Sequence, residues 1–292
     1  MTENSKNGLE EVIEKSGLTP QQLRELKNYL KSAKKDEYIP KVIPEFGKNH
    51  VRIGVIGDTH ITSVYFNEKF LTQLISTFEK EKVDMIIQTG DITDGENMRF
   101  DHRYYLRVQG HDNAVKLVSK TIPKMGVPFY FIGGNHDESY VKHTGIDICY
   151  WVSKERPDLQ YLGMNIGLMQ LGPNKKTKLA IFHPHKGTAK GQSYQQQELA
   201  DFFESEEKPH MLIVGHYHKA DYIHDRNIRI LQAGCTQNKS DFALTKQLQF
   251  HLRGWLTDIY MKDDGSIELL KLKPLDYIGG GAGIYEGRTI EK

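Results

Sequence analysis

Val51-Arg52-Ile53-Gly54-Val55-Ile56-Gly57-Asp58-Thr59-His60 is an apolar run that ends on a carboxylate and an imidazole. Its length and β-branched residues read as a buried strand. A helical pattern follows between Phe66 and Lys80, with Phe70, Leu71, Leu74 and Phe78 on one face. Asp84 to Asp91 is again strand-like and again ends on a carboxylate. Strand, helix, strand forms a βαβ unit with parallel strands. Ligands of such sheets bind outside the carboxyl ends of the strands, where Asp58, His60 and Asp91 lie.

The alternation continues along the chain. A helix is expected at about Asp112 to Thr121, strands at Phe129 to Ile132, Leu179 to Phe182 and Met211 to Val214, and a helix from Gln195 to Phe203. Polar segments follow these strands: Gly90-Asp91-Ile92-Thr93-Asp94, Gly134-Asn135-His136-Asp137, Phe182-His183-Pro184 and Gly215-His216-Tyr217-His218. The basic run Lys175-Lys176-Thr177-Lys178 reads as a hairpin turn. Toward the C-terminus, Ile228 to Leu231 is a strand, and Leu256 to Lys262 and Ile267 to Lys273 form an antiparallel pair through a turn at Asp263-Asp264-Gly265.

Residues 9–36 read as two short helices, with Leu9, Val12 and Ile13 on one face of the first and Leu23, Leu26 and Leu30 on one face of the second. Thr19, Pro20 and Gln22 mark the start of the second by cap, first-turn proline and capping box. The outline is compatible with a helix-turn-helix DNA reader and with a simple helical packing unit. Tyr38-Ile39-Pro40-Lys41-Val42-Ile43-Pro44 is proline-restricted and extended. The expected organisation is a small helical segment at 1–40, a linker at 41–50, a main domain at 51–275 and a Gly-rich tail at 276–292, read as a mobile end.

With 292 residues, the chain can bury a large core. Lys plus Arg (39) balance Asp plus Glu (38), so no global basic field advertises nucleic acid and any such contact must be local. Two cysteines, Cys149 and Cys235, argue against a disulfide scaffold and for a reducing, cytoplasmic setting. The polar N-terminus lacks a basic and apolar leader, and no apolar run is long enough to span a membrane.

The strand-end segments together offer imidazole, carboxylate and amide ligands without thiolate, a set that suits Mn²⁺, Fe²⁺ or Zn²⁺. On an extended strand, Asp58 with His60, and His216 with His218, would each converge on one ion, whereas a loop at the strand end would turn them toward neighbouring ions. The order DxH, GDxxD, GNHD, H, GHxH over residues 51–218 resembles the calcineurin-like metallophosphoesterase superfamily. The resemblance implies an α/β fold built as a two-sheet β-sandwich flanked by helices. It also implies two divalent ions, with Mn²⁺ the first expectation. Asp58, His60, Asp91 and His218 would hold one ion and Asp91, Asn135, His183 and His216 the other, with Asp91 bridging. His136 would stabilise charge or protonate the leaving oxygen, its ring held by Asp137. Asp94 reads as a residue that orders the loop, not a ligand.

Protein serine/threonine phosphatases of the superfamily read GDxxDRG and GNHE, whereas this chain has Gly95-Glu96 after Asp94 and Asp137 after His136. The phosphate-clamping arginine is absent there. The expected activity is a phosphodiesterase acting on nucleic acid or nucleotides, DNA or RNA included. A cyclic-nucleotide or dinucleotide phosphodiesterase, a phosphomonoesterase and a non-catalytic scaffold stand as rivals in that order. Substrate contacts are expected from Arg99 and Arg103, in a stretch that interleaves arginine with aromatics, and from His185 and Lys186 beside the fourth motif.

Overall fold

The computed structural model describes residues 41–42, 47–185, 187, 194–203, 208–279 and 283–292. The expected helices of residues 1–40, together with Lys186, lie outside the described residues. From the N-terminal side the elements are β1 (Lys41–Val42), β2 (His50–Ile56), α1 (Glu68–Lys80), β3 (Met85–Gln88), α2 (His111–Thr121) and β4 (Phe129–Gly133). Then come α3 (Glu138–Thr144), α4 (Ile148–Glu155), β5 (Leu159–Met164), β6 (Ile166–Leu171), β7 (Thr177–Phe182), α5 (Tyr194–Phe202) and β8 (Met211–Val214). The C-terminal part holds β9 (Ala220–Asp225), β10 (Ile228–Ala233), α6 (Asp241–Thr245), β11 (Arg253–Met261), β12 (Ile267–Ile278), β13 (Gly283–Glu286) and β14 (Ile290–Glu291).

Strand alternation explains the layering. On β2, Val51, Ile53 and Val55 are fully buried against the facing sheet, while Ile56 joins a second cluster with Phe70, Leu71, Leu74 and Phe78 of α1. One sheet has eight strands in the order β13-β12-β11-β2-β3-β4-β5, with β14 also on β12; the other has six, β1-β6-β7-β8-β10-β9. Between them lies a core that includes Met85, Ile87, Tyr130, Ile132, Ile181 and Ile213. Ala200 and Phe203, on and just after α5, pack on the outer face of the six-stranded sheet. This is the expected α/β sandwich, and β2-β3-β4 and β7-β8 are parallel, so their carboxyl ends lie on one side.

Two boundaries differ from the sequence reading. The 41–50 segment is not only a linker: β1 pairs parallel to Met169 and Gln170, and β2 already begins at His50. The 276–292 tail is not a free end, because β13 pairs with Leu275–Ile278 and β14 with Lys271 and Leu272. Without them β12 would present an unpaired edge to water.

Gly57 joins β2 to the site, and a Cβ there would lie 1.9 Å from the Gly234 carbonyl oxygen, a backbone atom that cannot swing aside. Gly57→Ala should therefore destabilise the fold by about 3 kcal/mol through overpacking, read as a lowered urea midpoint. An unchanged midpoint would show that the two segments do not need this approach.

Candidate metal centre

The strand ends turn sharply where the ligand types occur. His60 (φ 48°), Asp91 (φ 49°), His216 (φ 73°) and His218 (φ 53°) are all in the left-handed region without being glycine. Each such residue costs of order 1 kcal/mol and persists where the surroundings impose it. Thr59 and His60 donate their backbone N–H groups to the Asp91 carbonyl at 3.1 and 2.9 Å, tying the first loop to the second. Of the two arrangements open in sequence, loops rather than extended strands orient the pairs. Asp58 and His60 converge with His218, whereas His216 turns away to join Asp91 and His183.

The first group is close-set and buried. His218 Nε2 lies 3.1 Å from Asp58 Oδ2 and 3.1 Å from His60 Nε2. Asp91 Oδ1 accepts the His136 backbone N–H at 2.8 Å, which leaves Oδ2 between His60 Nε2 (3.8 Å) and His183 Nε2 (3.1 Å). In the second group His183 donates Nδ1–H to the Thr89 carbonyl at 2.8 Å, so Nε2 is the ring atom that faces Asp91 and the Asn135 amide oxygen, 3.1 Å away. Asn135 Oδ1 is also 2.8 Å from His216 Nδ1. On the other side, His60 Nδ1 lies within ion-pair distance of Asp94, 2.9 Å from Oδ1.

This donor set fits two divalent ions. Asp58, Asp91, His60 and His183 are 0–1 % exposed, and the described groups facing the two carboxylates are imidazoles and backbone N–H groups, without lysine or arginine. Buried carboxylates require compensating positive charge. Burial alone would raise the Asp58 carboxyl, but His183 and His218 outweigh it and hold it below the usual carboxylate range. For His183, burial works downward, yet Asp91 and Asp58 prevail and raise it to about 9. Burial, with His183 beside it, takes His216 down to about 4.

These directions give a pH prediction. A ligand must shed its proton before it can bind a metal, and His183, raised to about 9, holds its proton at neutral pH in the metal-free protein. Apparent Mn²⁺ affinity should therefore rise about tenfold per pH unit from pH 7 to 8, the slope of one released proton. Equilibrium dialysis across that range checks it; a flat profile would contradict it.

One expected role changes hands. Asp137 does not hold the ring of His136. Its carboxylate accepts from the backbone N–H groups of Ile92 (3.0 Å), Thr93 (2.9 Å) and Gly134 (3.0 Å) and from the Thr93 hydroxyl (2.6 Å), so it clamps two ligand loops together. Burial and the charge of Asp91 raise it to about 6 against those hydrogen bonds. The ring of His136 is held instead by Asp94: Nδ1–H donates to the Asp94 carbonyl at 2.6 Å and lies 3.6 Å from its Oδ1. Asp94 also receives His102 Nε2 at 3.2 Å. Burial would raise the Asp94 carboxyl, but His102 and His60 hold it well below the usual range. The sequence reading missed His102, although it stands within the Arg-aromatic stretch.

Four of the candidate ligands, His60, Asp91, His216 and His218, open onto a cleft of about 550 Å³. His136 lines it, as does Arg99. Arg103 does not; it is exposed and lies over Tyr104, 5.1 Å from the ring centroid. His185 faces a neighbouring hollow, 3.8 Å from Glu138, rather than the cleft. Tyr65, Lys246, Phe242 and Phe250 line the cleft without any signal in sequence, because the fold alone brings residues 242–250 over the strand ends.

Fold and site together define a metal-dependent phosphoesterase. The calcineurin-like phosphoesterase family model matches residues 51–220, and the chain belongs to that family. No curated protein matches the chain in sequence. Among solved structures it is similar to a predicted phosphoesterase from Streptococcus pneumoniae TIGR4 at 15% identity, covering 83% of this chain and 97% of that one, with a TM-score of 0.43. It is also similar to an archaeal phosphodiesterase (12% identity, 77% and 99% covered, TM-score 0.43) and to a dimetal phosphatase from Danio rerio (11%, 82% and 98%, 0.43). Among the described residues no helix is long and apolar enough to cross a membrane.

Proposed function

We propose that this chain hydrolyses phosphodiester bonds of nucleic acid or nucleotides, with two divalent ions, Mn²⁺ foremost, held by Asp58, His60, Asp91 and His218 and by Asp91, Asn135, His183 and His216. The observation that carries the preference for diesters is at Gly95. Its φ is 71°, and a Cβ there would lie 2.5 Å from the His136 carbonyl oxygen, so no arginine fits at the position after Asp94. A bidentate guanidinium clamp stabilises a monoester dianion more than a diester, which carries one charge fewer. When bound, the ions supply Lewis acidity toward the phosphoryl oxygen and a hydroxide at neutral pH. His136, fixed at Nδ1 by Asp94, presents Nε2, which protonates the departing oxygen only from the imidazolium form, a form that burial of the ring disfavours and the charge of Asp91 favours.

The described cations of the cleft wall are Arg99 and Lys246, apart from histidines. Among the described residues this wall carries little positive charge, which favours a short nucleotide diester, cyclic or dinucleotide, as the second reading over a long strand. The test compares single-stranded DNA, duplex DNA, RNA, cyclic nucleotides, a chromogenic diester and a monoester side by side with added Mn²⁺. Turnover of diesters well above the monoester is expected, and hydrolysis of the monoester alone would overturn the reading.

A further inference from the structure

Opposite the ligands, the cleft wall is made largely of rings. The Arg99 guanidinium lies 5.0 Å from the Tyr105 centroid and 5.3 Å from that of Phe242, and its Nε–H donates to Asp101 at 3.0 Å. One cation thus ties two rings from distant parts of the chain into a single surface. Tyr105 stacks on Tyr65 at 5.8 Å, and elsewhere in the lining Phe250 meets the candidate ligand His218 edge to face at 4.2 Å. Phe242 is anchored from below: α6 starts at Ser240, whose hydroxyl accepts the Ala243 N–H, and Ala243 is buried. Phe242 nonetheless remains 46% exposed.

An exposed aromatic face held in place beside a phosphate site is a stacking platform. Planar π-faces with a guanidinium suit a flat heterocycle, whereas an alkyl chain would gain most from an enclosed apolar groove. We propose that Phe242, held by Arg99 that Tyr105 in turn backs, is the stacking face of a subsite for a nucleobase carried by one substituent of the phosphodiester. The inference rests on the phosphodiesterase reading above and narrows it, placing the stacking ring, Phe242, beyond the span matched by the family model.

The test uses the full chain with Mn²⁺ and two diesters that share one leaving group, the p-nitrophenyl ester of thymidine 5′-monophosphate and methyl p-nitrophenyl phosphate. The wild-type protein should prefer the thymidine ester in kcat/KM. Phe242→Ala should lower the ratio between the two substrates at least about fivefold, chiefly through KM, the scale of one lost stacking contact. Phe242→Tyr should keep it. A ratio unchanged in Phe242→Ala, or absent in the wild type, would overturn the subsite. Calorimetric titration of thymidine 5′-monophosphate into the same proteins separates the two claims. Should neither diester turn over while nucleotide binding still weakens in Phe242→Ala, the phosphodiesterase reading fails and the subsite stands. Equal nucleotide affinity in both proteins would overturn the subsite itself.

Discussion

Asp91→Asn is expected to lower phosphodiester turnover by about a thousandfold, the equivalent of about 4 kcal/mol of transition-state stabilisation. Asp91 Oδ1 is engaged by the His136 backbone N–H, and Oδ2 stands between His60 and His183. The amide keeps the shape of the side chain, so the loops still pack, but it removes the one charge that faces both ligand groups. Metal content should fall with activity, because each group loses its shared carboxylate. Activity within tenfold of wild type, with full metal content, would remove Asp91 from the bridging position.

His136→Asn should leave metal content unchanged and lower turnover of a substrate with an alkoxide leaving group at least about a hundredfold, the usual scale of a proton-transfer contribution. With p-nitrophenolate, which departs without a proton, the loss should be clearly smaller. The reason lies in the tautomer: Nδ1–H is committed to the Asp94 carbonyl, so Nε2 donates to a leaving oxygen only when it carries a second proton. Equal losses for both leaving groups would mean that His136 stabilises charge without transferring a proton. Near-normal turnover of both would take it out of the mechanism.

Much of this was legible in the chain itself. The β2-α1-β3 unit follows from the apolar alternation at 51–56 and the helical face Phe70, Leu71, Leu74 and Phe78, because burial on both faces leaves little freedom in such a pattern. The grouping of Asp58, His60, Asp91, His183, His216 and His218 follows from parallel strands whose carboxyl ends share one edge. What spacing could not fix is direction. Period two points His216 and His218 the same way, whereas positive φ at both residues sends them to different groups. Asp137 adjoins His136 in sequence but its carboxylate is taken by four donors from two loops, and the ring goes to Asp94, 42 residues upstream. Phe242 and Phe250 reach the cleft only through the return of the chain between β10 and β11, a long-range approach that leaves no local pattern. The tail misled for a related reason: its glycines suggest freedom, but the open edge of β12 captures Gly283–Glu286.

Five strand ends that together hold a pair of ions are the central feature of this chain. The most direct measurement is the Mn²⁺ content of the dialysed full chain together with its electron paramagnetic resonance spectrum. Two ions per chain with an exchange-coupled spectrum, lost in Asp91→Asn, is the predicted result. A single uncoupled ion in a fully active protein would contradict it.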